Sequence, residues 1–167
     1  MQGIMYKQEL YVAIGDHLKT QTRRLTKGKP PRYKVDQVLY LKEPYRYKTE
    51  AFIEYKFSHP NPERGQWNNK MFMGATSARR FIKITAVRKE RLHEISELDA
   101  NLEGFRGDIR RGIYARNLFI DIWRKIHRKS PWRWEDNPEV YVYDFVLCTR
   151  CGEEIPRPWY HPSFDEI

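Results

Sequence analysis

Residues 79–105, "RRFIKITAVRKERLHEISELDANLEGF", decide how the rest of the chain is read. Its first half alternates. Ile82, Ile84 and Ala86 fall on one face of an extended chain, and Phe81, Lys83, Thr85 and Val87 on the other, which is the period of a strand. The second half changes period. Ser96 with Asp99 three positions on has the form of a capping box, with aspartate in place of the usual glutamate or glutamine, and such a box satisfies free N–H groups at a helix start. Gly104 then stands where a helix ends, because glycine adopts the left-handed conformation of a C-terminal cap readily. A strand therefore runs into a short helix.

Working outward, "YARNLFIDIWRKIHRK" (114–129) is the clearest helix. Ala115, Leu118, Phe119, Ile122, Trp123 and Ile126 recur at three and four, and Arg116, Arg124, Lys125 and Arg128 occupy the other face. "EVYVYDFVL" (139–147) is a strong strand. Toward the N-terminus, 20–25 and "QVLYLKE" (37–43, ending before Pro44) read as strands, as does 50–57. Residues 5–14 read as a helix with Gly15 near its end. "KGKPPRYKVD" (27–36) is a basic, proline-containing loop, and 58–70 is another loop. Helix, strands, helices, strand is an α+β order, and it predicts a small curved sheet or barrel flanked by helices.

The chain has 167 residues, enough for one domain with a real core. A formal net charge of +9 favours a polyanionic partner, nucleic acid above all, although a basic protein with nothing to bind would carry the same charge. Aromatics at 14% argue against disorder and offer stacking surfaces, although most belong in a core. No stretch approaches the roughly 20 apolar residues of a membrane span, so no membrane partner is expected. The first ten residues lack a signal-type apolar run, and two cysteines cannot make a disulfide framework; a cytoplasmic protein is expected.

Four stretches in order, "LKTQTRRL", "QVLYLKEPY", "MFMGATSARRFIKITAVRKERLHEISELDANLEGF" and "WEDNPEVYVYDF", resemble the ASCH domain of the PUA-like β-barrel superfamily, in the style of its phage-type members. The resemblance covers residues 5–147, and it divides the chain into an ASCH/PUA-like domain over 1–147 and a C-terminal extension over 148–167. It implies a small β-barrel with helices on one side and a cleft between them. PUA-like domains commonly bind RNA, some small ASCH proteins are similar to amidohydrolases acting on N4-acetylcytidine, and others have been proposed as ribonucleases. No cofactor is implied. Carried over residue by residue, the resemblance assigns Lys19, Thr22 and Glu103 to the catalytic group and matches Arg24 to an arginine of the motif. Leu18 stands where many relatives have arginine, and His17 where many have glycine. Insertions at 44–70 and 105–112 can cover or reshape the cleft.

The chemistry is coherent on its own terms. A threonine hydroxyl needs a neighbouring base to become a nucleophile. A buried lysine near other cations loses proton affinity and can be that base, with Arg23 and Arg24 as the depressing neighbours. Lys19 and Thr22 would point to opposite faces of an ideal strand, so Lys19 must lie in the turn before it and curl back. Arg24 shares a face with Thr20 and Thr22 and can steady an oxyanion or phosphate. The plainer alternative is that Lys19 and Glu103 form an ion pair that only ties helix to barrel. The expectation is recognition of RNA or a modified nucleoside in the cleft beside Lys19, Thr22, Arg24 and Glu103, with an amidohydrolase for N4-acetylcytidine or a related N-acylated base as the alternative, and a non-catalytic phage-derived interaction protein with a vestigial pocket as the third.

The other candidates are weaker. Arg23, Arg79 and Arg80 are candidates for nucleic-acid contact, and Trp67 in the 58–70 loop is a cleft candidate. Trp132 can stack on a base, although one of Trp132 and Trp134 should pack against the long helix. Cys148, Cys151 and His161 supply three of the four ligands zinc wants, with His127 or an acidic residue to complete the set. Two reduced cysteines at a strand end is the simpler reading, and no metal is expected.

Overall fold

A computed structural model describes residues 1–49, 52–58 and 65–156. Its main sheet contains β1 (Gln2–Met5), β2 (Gln21–Leu25), β3 (Val38–Lys42), β6 (Phe81–Arg91) and β7 (Glu139–Cys148). The spatial order is β1-β3-β6-β7-β2. β1 runs parallel to β3, and every other pairing is antiparallel. A separate hairpin joins β4 (Tyr45–Thr49) to β5 (Phe52–Tyr55). Among the described residues there are three α-helices: α1 (Gln8–Gly15), α2 (Glu97–Leu102) and α3 (Ala115–His127). No helix among the described residues is long and apolar enough to cross a membrane.

The α+β expectation holds. No ladder among the described residues joins the edges β1 and β2, so the strand pairings define a five-stranded sheet rather than a ring closed by backbone hydrogen bonds. A hydrogen bond from Arg24 Nη2 to the Met5 carbonyl, 3.3 Å long, reaches across this seam.

β6 and β7 form the spine. Their register shifts between Ile84 and Ala86, and such a bulge bends a strand. The simple alternation expected through Ala86 is broken at that point. β7 serves two cores because its side chains alternate. Val140 and Val142 pack with Phe119, Trp123 and Trp134 against α2 and α3. Tyr143 and Phe145 pack on the other side with Ile82, Ile84, Leu39 and α1 residues Tyr11 and Ile14. Trp134 is thus the tryptophan that meets the long helix.

Two expectations change. Residues 5–14 divide into the end of β1 and α1, and the 44–70 insertion contains the β4–β5 hairpin. That hairpin carries a cross-strand pair, Arg46 Nε to Glu54 Oε2 at 2.6 Å.

Candidate functional site

The turn before β2 is pinned on both sides. Leu18 and Lys19 N–H donate to the Ala13 carbonyl at the end of α1 (2.8 and 3.0 Å), and Thr20 N–H donates to Leu102 of α2 (2.9 Å). Phe145 N–H in turn donates to the Thr20 carbonyl (2.8 Å). Lys19 sits in this turn and curls back as expected. Its Nζ donates to Glu103 Oε2 (2.7 Å), to the Glu103 carbonyl (2.8 Å) and to the Gln21 carbonyl (2.7 Å). An ammonium has three N–H donors, and all three are used. Only 1% of Lys19 is exposed. Burial pulls its pKa below the ordinary lysine value, Glu103 pulls it back, and Arg24 and Arg23 push it down further.

Glu103 is delivered by the end of α2. The capping box forms, with Asp99 N–H donating to Ser96 Oγ (3.0 Å) and Ser96 N–H to Asp99 Oδ2 (3.1 Å). Gly104 takes φ +92°, and a Cβ there would lie 3.1 Å from Lys19 Cβ. Glycine ends the helix and lets the two chains approach.

β2 divides its side chains between two environments. Arg23 is turned inward. It donates to Glu90 Oε1 through Nε (3.0 Å) and Nη2 (2.6 Å), and through Nη1 to Gln21 Oε1 (2.6 Å) and Glu103 Oε1 (3.4 Å). Its guanidinium is satisfied within the protein. Thr22 and Arg24 alternate with it, Thr22 buried and Arg24 exposed. Arg24 and Lys19 each lie 5.4 Å from the ring centre of Tyr6. The Tyr6 hydroxyl is buried, with the Thr22 side chain close to it but no well-formed hydrogen bond to it among the described residues. Buried polar groups rarely go unpaired.

Lys19, Thr22, Arg23, Arg24 and Glu103 all line one cavity of about 300 Å³, together with Tyr6. Its opposite wall comes from α3 and the chain before it: Phe105, Phe119, Ile122, Trp123, Ile126 and His127. His127 stacks on Trp123 with ring centres 4.4 Å apart. Burial, aided by Lys27, holds the His127 pKa below the ordinary histidine value. His127 and the tyrosine were missed as wall residues. A signal existed for Ile126: it continues the apolar stripe of α3 yet is 57% exposed, so the stripe extends past the core. Lys70, from the 44–70 insertion, reaches the rim and donates to the Tyr6 carbonyl (2.7 Å).

The remaining candidates are dispersed. Thr20 does not line the cavity. Arg79 is bound to the fully buried Glu43 (2.7 and 2.9 Å), which also accepts from the Tyr11 hydroxyl. Arg80 donates to the Tyr11 carbonyl (2.9 Å) and lies over that ring. Trp67 stacks with Arg46, 4.5 Å from ring centre to guanidinium. Trp132 is half-buried, with Lys27 Nζ 4.7 Å from its ring centre. Cys148 is buried, which raises its thiol pKa to about 11, and Cys151 is exposed. No three His, Cys, Asp or Glu side chains converge on a metal-sized site among the described residues, and His161 lies outside them.

No family model and no curated protein matches the sequence. Solved structures do. A DUF984 protein from Enterococcus faecalis V583 superposes with a TM-score of 0.51 at 10% identity, over 87% of this chain and 78% of that one. An ASCH domain from Lactobacillus crispatus JV V101 gives 0.45 at 15% identity over the same shares. The second score is too low to carry weight, so the shared fold rests on the first. At 10% identity the likeness is one of fold and not of activity. The likeness gives this chain an α+β fold shared with that protein, and the motifs in residues 18–25 and 71–105 are the ones that resemble ASCH domains.

Proposed function

We propose that the protein binds RNA or a modified nucleoside in the cavity beside Lys19, Thr22, Arg24 and Glu103. The observation that carries this reading is a buried Tyr6 hydroxyl, without a well-formed hydrogen bond among the described residues, at a cavity that also holds the Lys19–Glu103 pair. Small-molecule sites are concave, mostly apolar and furnished with a few convergent polar groups, and about 300 Å³ suits a ligand of modest size. Aromatic and apolar walls from α3 suit a base, and Arg24 at the rim suits a phosphate. In the same reading the sheet is a PUA-like barrel whose seam between β1 and β2 is the entrance. Calorimetric titration with cytidine and N4-acetylcytidine tests it. Binding is expected for the wild type and weaker binding for Tyr6→Phe and Glu103→Gln; no binding of either nucleoside or of an RNA oligonucleotide would refute it.

The lowered proton affinity of Lys19 and a Thr22 side chain lining the same cavity favour a second reading, hydrolysis of an N-acylated base such as N4-acetylcytidine. Lys19 donates all its protons in this state, so it would first pass one to Glu103 before acting as a base. Acetate release lost in both Lys19→Ala and Glu103→Ala distinguishes hydrolysis from binding alone.

A further inference from the structure

A second, larger cavity of about 780 Å³ adjoins the first, and the two share Met5, Arg23, Arg24, Trp123, Ile126 and His127. They form one groove along the seam between β1 and β2. The far wall is the 26–33 loop, which contributes Lys27, Lys29 and Arg32. No carboxylate lines that second cavity. Elsewhere many cations are matched: Arg88 with Asp144, Lys89 with Glu139, and Arg124 with Glu135. Lys27, Lys29 and Arg32 are exposed and make no ion pair among the described residues. Positive charge without internal compensation is therefore gathered on one side of the groove.

The loop is built rather than draped. Lys29 N–H donates to the Thr26 carbonyl (2.9 Å), the Tyr141 hydroxyl donates to the Lys29 carbonyl (3.2 Å), and Arg32 N–H donates to the Tyr143 hydroxyl (3.0 Å). Tyr33 is buried edge-on against Tyr143, with ring centres 5.2 Å apart. Pro30 and Pro31 limit the backbone between these anchors. The backbone that carries the cations is thus fixed before any ligand arrives, which limits the ordering entropy lost on binding to that of the side chains.

We infer that this groove takes a single-stranded polynucleotide, with one base in the Lys19 cavity and the adjoining phosphates along Lys27, Lys29 and Arg32. The inference rests on the proposed nucleoside site and deepens it, specifying a single strand and placing its phosphates on the 26–33 loop. A cavity with room for one ligand group beside a longer cationic track suits a strand whose bases are unstacked. Duplex does not present a free base to such a cavity.

Fluorescence anisotropy tests this with labelled single-stranded RNA and DNA about a dozen nucleotides long, a length within the usual range of single-strand sites. The double variant Lys29→Ala/Arg32→Ala alters two exposed side chains and should fold normally by circular dichroism. It should weaken oligonucleotide binding about tenfold or more, and reduce the slope of log affinity against log salt by about 1.4, or about 0.7 for each lost phosphate contact. Cytidine binding should not change. Arg110→Ala/Arg150→Ala, which removes equal charge away from the groove, should leave both unchanged. The tighter of the RNA and DNA arms identifies the sugar. Oligonucleotide binding unaffected by Lys29→Ala/Arg32→Ala, or equally affected by the control pair, overturns the strand track while leaving the nucleoside site standing. Failure of the wild type to bind cytidine, N4-acetylcytidine or either oligonucleotide overturns both.

Discussion

Lys19 and Glu103 are 84 positions apart in sequence and 2.7 Å apart in space, with side chains 1% and 6% exposed. Separating such a pair leaves a charge without water or partner, which costs far more than the pair's net contribution to stability. Lys19→Met should therefore destabilise the fold by about 3 kcal/mol in urea unfolding. Arg23 Nη1, 3.4 Å from Glu103, offers only partial compensation. Lys19→Met/Glu103→Gln should be more stable than Lys19→Met alone, because the second change removes the stranded carboxylate. If the double variant proves less stable than Lys19→Met, the carboxylate belongs to Arg23 more than to Lys19. This pairing was legible from the motif match. The inward turn of Arg23 was not: nothing in "TQTRRL" says which arginine finds Glu90 and which finds the rim.

At the scale of elements, α2 matters most because its end carries Glu103. It is only six residues long, so its cap has a large share in holding it. Ser96→Ala should cost about 1 kcal/mol. Asp99 adds a pH dependence. Burial tends to raise its pKa, but hydrogen bonds from Ser96 and the nearby Arg23 outweigh that and hold it below the ordinary 3.8. A depressed carboxyl stabilises the fold above the unfolded value, and that stability is lost as pH falls through the folded value, below 3.8. Thermal melts of the wild type should fall in that acid range, and Asp99→Asn should show a shallower fall. The capping box, α3, β6 and β7 were all readable because each carries a full period or a cap. β1 was not, since four residues cannot show alternation. Its clue was Gly3, where a Cβ would lie 2.7 Å from the Tyr40 ring; only a bare backbone permits that approach. The β4–β5 hairpin was half legible: β5 falls within the 50–57 stretch that reads as a strand, while β4, "YRYKT", follows a proline and carries only Tyr45 and Tyr47 on its apolar face.

At the scale of the whole molecule, the sheet is unevenly secured. β6 and β7 pair along ten positions, while β1 and β2 pair with β3 and β7 along four and five and turn their other edges to the seam. Backbone amides at a free edge open without breaking a ladder, whereas those in the spine open only with the fold. In deuterium exchange the seam-facing amides of β1 and β2 should exchange first, and those shared by β6 and β7 last. Comparable protection across all five strands would mean that the seam closes in solution. An unlatched sheet also gives any occupant of the groove a mechanical role. A molecule lying along both margins would act as a clasp, stiffening the protein's loosest line and making its melting temperature a direct gauge of occupancy.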